Sequence, residues 1–160
     1  MHYKIESVSK KGDFAFKDAE NKEVFKLVYD NWFTSTGRAI INKQSYSIES
    51  KNIWQHEFIF KKGEEKIGSM SFNFKGNAIL NIEGEYYILK FKGLLNRRFE
   101  LLDGKDNVLM VLKPNIKWSK LRYEYDVETS DSLGEKEELI NLFLFASYAA
   151  NISTNYYWQA

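Results

Sequence analysis

The chain has 160 residues with one proline, nine glycines, no cysteine and a formal charge of +1 from 23 Lys and Arg against 22 Asp and Glu. Hydrophobic residues at 44 % and charged residues at 28 % are globular composition, which excludes a disordered chain, and the length suits one domain. The lack of cysteine excludes a disulfide framework and thiolate zinc sites, and the balanced charge predicts no nucleic-acid partner.

The chain starts with alternation: Tyr3 and Ile5 fall on one face, Lys4 and Glu6 on the other. This start has neither the apolar core nor the cleavage site of a secretory signal. The longest apolar-rich run, 139–150, is about 12 residues, short of the roughly 20 that span a bilayer. A soluble, cytoplasmic protein is expected. Short strands are predicted over 2–9, 12–18, 22–30, 38–42, 45–51, 53–61, 65–74, 77–83, 85–91, 97–102, 107–114 and 122–129. Turn residues such as Lys62-Gly63, Gly76-Asn77 and Asp103-Gly104 separate them.

The strands repeat. Tyr3-Lys4-Ile5-Glu6-Ser7 recurs as Tyr46-Ser47-Ile48-Glu49-Ser50 and, more weakly, as Tyr87-Ile88-Leu89. Phe14-Ala15-Phe16 recurs as Phe58-Ile59-Phe60 and Phe99-Glu100-Leu101, at spacings of about 40 residues. Three units of four strands give twelve. Four strands per repeat also suits a propeller blade, but three blades are too few, so one closed antiparallel barrel is expected. The repeat assigns the aromatic and aliphatic members of these triplets to the inner face.

One helix closes the chain, predicted over about 135–153. Ser132 and Glu135 form a capping box, and the apolar side chains from Leu139 onward cover most of the circumference, leaving Asn141, Ser147 and Asn151 as a narrow polar sector. Such a helix must be surrounded. A helix is about 10–12 Å across, and a barrel of about twelve strands leaves a lumen that wall side chains alone do not fill. The helix is therefore expected inside the barrel.

This order resembles the tubby C-terminal, phospholipid scramblase and LURP-one superfamily, in particular small bacterial tubby-like proteins. The most similar stretch is 99–114, Phe-Glu-Leu-Leu-Asp-Gly-Lys-Asp-Asn-Val-Leu-Met-Val-Leu-Lys-Pro, followed by Trp118, Tyr123-Glu-Tyr-Asp-Val127 and the apolar helix. The resemblance implies a barrel threaded by its C-terminal helix and contact with phospholipid headgroups. No residue of the tubby headgroup site has a counterpart here, and the palmitoylated cysteines of the scramblases are missing. The acidic run 126–131 lies where scramblases bind calcium, but its match is too loose to carry calcium over.

Charge is uneven along the chain. Residues 86–122 hold nine Lys and Arg against three acids, a net +6, and 123–138 hold one Lys against seven acids, a net −6. The basic segment offers Lys90, Lys92, Arg98, Lys113, Lys117, Lys120 and Arg122 as contacts for an anionic phospholipid surface or a protein, with Trp118 at an interface. The plainer reading is a solvated exterior of cross-strand ion pairs between the two segments. His56 and Arg97 hold equivalent places in the repeat and are expected to point inward at the barrel mouth, where an alternative reading puts an enzyme's small-molecule site. Two histidines, at positions 2 and 56, and no cysteine make a zinc site improbable, and no nucleophile elbow occurs. Asp103-Gly104-Lys105-Asp106-Asn107 reads as a hairpin turn rather than a calcium loop. The expectation is a non-enzymatic binding or scaffold domain with no cofactor and no metal.

Overall fold

A computed structural model describes residues 1–9, 13–30, 36–50, 57–73, 75–93, 97–117, 122–130 and 137–157. Its strands are β1 (His2–Ser7), β2 (Phe14–Asp18), β3 (Glu23–Tyr29), β4 (Gly37–Ile41), β5 (Gln44–Ser50), β6 (Glu57–Lys62), β7 (Glu65–Phe72), β8 (Ala78–Ile82), β9 (Glu85–Lys92), β10 (Arg98–Asp103), β11 (Val108–Lys117) and β12 (Arg122–Thr129), followed by the helix α1 (Glu137–Tyr157). Each strand pairs antiparallel with its neighbours in sequence, and β1 closes on β12, so the twelve strands form the expected barrel. Closure removes every sheet edge.

Hairpin geometry comes from local chemistry. Asn42 and Lys43 both take positive φ between β4 and β5, as do Glu83 and Gly84 at the equivalent place between β8 and β9. These are the mirror-image turns whose twist matches that of the flanking strands. Three other turns share one device: the side chains of Asp18, Asn73 and Asp103 each accept hydrogen bonds from backbone N–H groups two and four residues on. The expected hairpin at Asp103 is thus present. Its carboxyl is held below its ordinary range first by the Asn107 side-chain amide and then by the Asn107 backbone N–H. At Gly68, beside the bulge at Ile67 in β7, an added Cβ would run into the Asn81 carbonyl oxygen, so the close approach of β7 to β8 requires glycine.

The inner face follows the repeat. Ile5, Ile48 and Leu89 are buried, as are Phe14, Phe16, Phe58, Phe60, Phe99 and Leu101. Among the equivalent tyrosines, Tyr46 is buried and Tyr3 and Tyr87 are half-buried. Aromatic side chains of the helix pack against β1, β2, β3 and β6. Phe145 stacks on Phe60 with ring centroids 4.0 Å apart, Phe143 packs on Phe16 and Tyr3, and Tyr148 meets Phe58 and Tyr29. From Leu142 to Ser153 every helical residue is buried, and Leu144, Phe145, Ala146, Tyr148, Ala149 and Ala150 are fully enclosed. Of the polar sector, Asn141 is half-buried, Asn151 donates from Nδ2 to the Tyr29 hydroxyl at 2.7 Å, and the buried Ser147 hydroxyl has no hydrogen-bond partner among the described residues.

Two boundaries differ most from expectation. The helix runs to Tyr157, beyond the expected end at about 153; Ser132, Glu135 and Trp158 lie outside the described residues. β11 continues through Pro114 to Lys117, where the sequence suggested a loop. Phe99 stands opposite Leu112, so Pro114 lies beyond the end of β10. On that flank its missing N–H forfeits no ladder bond.

Candidate functional site

The helix occupies the lumen, and the described cations expected from the sequence lie on the outer wall. Strand alternation turns every second side chain outward, and the register aligns them in rows across the barrel. Lys92 stands opposite Arg98 in one row, and Lys90 opposite Glu100 in the next. Lys113 extends the first row onto β11, because its neighbours Leu112 and Val111 stand opposite Phe99 and Glu100. Lys90, Lys92, Arg98 and Lys113 therefore lie together on the outside of three adjacent strands, with Glu100 among them.

Glu100 organises this cluster. Arg98 donates from Nε to one carboxylate oxygen at 2.8 Å, and Lys92 Nζ lies 3.3 Å from the other. Burial pushes the Glu100 carboxyl up, but the hydrogen bonds from Arg98 and Lys92 outweigh it and hold the group below the ordinary carboxylate range. Two cations thus share one nearly buried anion, leaving the cluster positive. Sequence reasoning listed the cations and missed the carboxylate at their centre. The signal available was the Arg98-x-Glu100 spacing, which puts both side chains on one face of a strand.

The acids of the following segment reach the other way. Glu124 pairs with Lys4 at 3.9 Å, and Glu128 lies 4.0 Å from His2, both on β1. Farther round, Lys17 pairs with Glu6 at 2.7 Å, and that hydrogen-bonded contact raises the Lys17 ammonium above its ordinary value. The register sets Lys113 opposite Asp126 and Lys117 opposite Arg122. The side chains of Lys117 and Arg122 lie outside the described residues, as do Trp118, Lys120 and His56 altogether.

Arg97 precedes β10 and is exposed, although its parity matches that of the buried Phe99. At the rim an inward parity leads to solvent instead of the lumen. A shallow depression of about 190 Å³ lies on β6 and β7, lined by Glu57, Phe58, Ile59, Lys66, Ser69, Met70 and Ser71. Among the described residues no group of acids and histidines is arranged to hold a metal ion. No described helix is long and apolar enough to cross a membrane.

No family model and no curated protein matches the chain. Among solved structures, the X-ray structure of an Arabidopsis thaliana protein, AT5G01750, aligns with 91 % of this chain and 90 % of its own, at a TM-score of 0.55 and 9 % identity. The two chains are similar in fold, and the likeness extends over nearly the whole of each.

Proposed function

We propose that the protein is a non-enzymatic binding domain of the tubby-like kind that meets an anionic phospholipid surface with the outside of its barrel. The observation that carries this reading is the gathering of Lys90, Lys92, Arg98 and Lys113 in two neighbouring outward rows, with Glu100 as the carboxylate among them. Each cation near an anionic surface contributes roughly 1 kcal/mol, so a set of this size supports reversible, salt-sensitive contact. The basic segment continues through Lys117, Trp118, Lys120 and Arg122, which brings an interfacial aromatic residue beside further cations. The filled lumen favours an exterior contact over a substrate pocket.

Co-sedimentation with vesicles tests the proposal. Binding to vesicles containing anionic lipid, absent with neutral ones, should fall steeply with salt, because charges on the surface are screened over about 8–10 Å. Lys90→Glu with Lys113→Glu should weaken it about tenfold or more with little change in melting temperature. Equal binding to both kinds of vesicle, or none to either, overturns the reading. Capture of an acidic protein in place of lipid would make the domain a protein scaffold. Turnover by pure protein that vanishes in a folded His56→Ala or Arg97→Ala variant would make it an enzyme.

A further inference from the structure

The two ends of the barrel are unlike. Every strand is antiparallel to its neighbours, so the ends of the odd-numbered strands and the starts of the even-numbered ones share one end. The helix runs toward it: Phe143 packs on Tyr3 at the start of β1, whereas Asn151 bonds Tyr29 at the end of β3. In the sequence, the six connectors that join strands at this end are 8–13, 30–36, 51–56, 73–77, 93–97 and 118–121. They hold six Lys and Arg against two acids, a net +4, and ten aromatic or large aliphatic residues. The five connectors of the opposite end are 19–22, 42–43, 63–64, 83–84 and 104–107. They hold three Lys against four acids, a net −1, and no aromatic or large aliphatic residue. The segment 130–136, which leads into α1 there, adds a further −1 and a single leucine.

Connectors run over the surface and are ordinarily polar, so apolar content gathered at one end marks a place of contact. The described rim of the basic end shows it. Val8 is 37 % and Phe91 40 % exposed, and Lys75, Lys92 and Arg97 are exposed at the same rim. Phe91 has inward parity and packs on Phe99 with ring centroids 5.5 Å apart, yet at the rim it meets solvent, as Arg97 does. Tryptophan is confined to this end as well. Trp32 follows Asp30 by two residues, Trp54 precedes Glu57 by three, Trp118 follows Lys117 and Trp158 follows Tyr157. At about 3.8 Å per residue, covalent geometry holds each within about 11 Å of a described residue of the basic end, on a wall roughly 15–20 Å tall.

Resting on the phospholipid contact proposed above, we infer that the protein stands end-on: the end from which α1 emerges faces the anionic surface, and its connectors supply the interfacial anchors. Cations with tryptophan match the headgroup layer, where lysine and arginine meet phosphate and the indole ring sits between water and hydrocarbon. The opposite end carries the sign of the lipid and is turned away, so charge along the barrel axis orients the molecule before contact. The outer basic rows fit this pose. Lys92 ends β9 and Arg98 begins β10, both at this rim, and Lys113 stands level with them on β11.

Site-specific fluorescence on vesicles tests the pose separately from binding itself. The chain has no cysteine, so Val8→Cys at the basic end and Glu64→Cys at the other each take one environment-sensitive dye. With vesicles containing anionic lipid, the dye at position 8 should brighten and shift to the blue, and the dye at position 64 should not respond. Intrinsic tryptophan fluorescence should be quenched by brominated lipid in the same vesicles. Lys75→Glu, on the β7–β8 connector and away from the outer basic rows, should weaken co-sedimentation about tenfold. Vesicle-bound protein in which the position-8 dye and the tryptophans are silent overturns the end-on pose and leaves the contact with the outer wall standing. An equal response at position 64, or binding indifferent to Lys75→Glu, also overturns the pose. No binding to any vesicle overturns the pose together with the reading on which it rests. A position-8 dye that answers to an acidic protein and not to lipid makes this end a protein interface and overturns it too.

Discussion

The same strands build two unlike surfaces. On the inside, Phe16, Phe58, Phe60 and Phe99 belong to one continuous core gathered around α1. On the outside, their neighbours in sequence, Lys17, Lys61 and Arg98, make local pairs with Glu6, Glu49 and Glu100, the last shared with Lys92. Apolar contact is non-directional and shared, so each inner residue depends on the helix and the helix on all of them. The outer pairs are local and partly solvated, and each contributes little beyond itself. Damage inside should therefore be global, and damage outside confined to its own pair.

Removing the helix is the severest way to break this contrast. Deletion of residues 135–160 leaves a lumen lined by aromatic rings with nothing to pack against. The truncated chain should show no cooperative melt by circular dichroism; retention of one with native strand content would refute the shared core. Phe143→Asp is the single-residue counterpart. It places an unpaired carboxylate between Tyr3 and Phe16 and should destabilise the chain by about 3–5 kcal/mol in denaturant titration.

A polar contact inside the barrel should have an intermediate effect. Tyr29→Phe removes the acceptor for Asn151 and leaves a buried amide N–H unsatisfied, at a cost of about 1–3 kcal/mol. Pairing it with Asn151→Leu in a double-mutant cycle sharpens the contrast. Coupling above about 0.5 kcal/mol is expected for two groups that share a hydrogen bond. Strict additivity would mean that the hydrogen bond contributes nothing.

These two surfaces were also unequally legible in the sequence. Inner positions such as Ile5, Ile48 and Leu89 follow from alternation and the repeat, because burial acts on residue type alone. The central helix followed from its apolar circumference, which only an enclosing wall can satisfy. Pro114 misled at the end of β11, since proline is compatible with a strand wherever one flank has lost its neighbour. Asn151 stood out as polar, but Tyr29 lies 122 residues away and nothing local links them. Outside, the cations were visible and their arrangement was not. Whether Lys92 meets Arg98, and whether both meet Glu100, depends on the register between β9 and β10, which is set by the whole closed sheet. Arg97 was assigned inward by parity, a rule that lapses where the wall ends.

The smallest expected effect lies at Glu100, and its pH dependence separates it from a packing defect. Its folded carboxyl titrates below the ordinary value of 4.5, because Arg98 and Lys92 favour the charged form against the opposing effect of burial. Between that folded value and 4.5 the unfolded chain binds more protons than the folded one, so stability rises with pH through this window. The contribution is fully present above 4.5 and is lost as pH falls through the folded value. Glu100→Gln keeps the shape and removes the charge. At neutral pH it should lower stability by about 1 kcal/mol, the upper range for a partly exposed pair. As the solution is acidified below the ordinary carboxylate range, the stability curves of variant and parent should converge, because the parent then carries a neutral side chain as well. A gap that stays constant with pH would mean that the loss comes from packing, and that the outer wall is less separable into independent pairs than the contrast with the core requires.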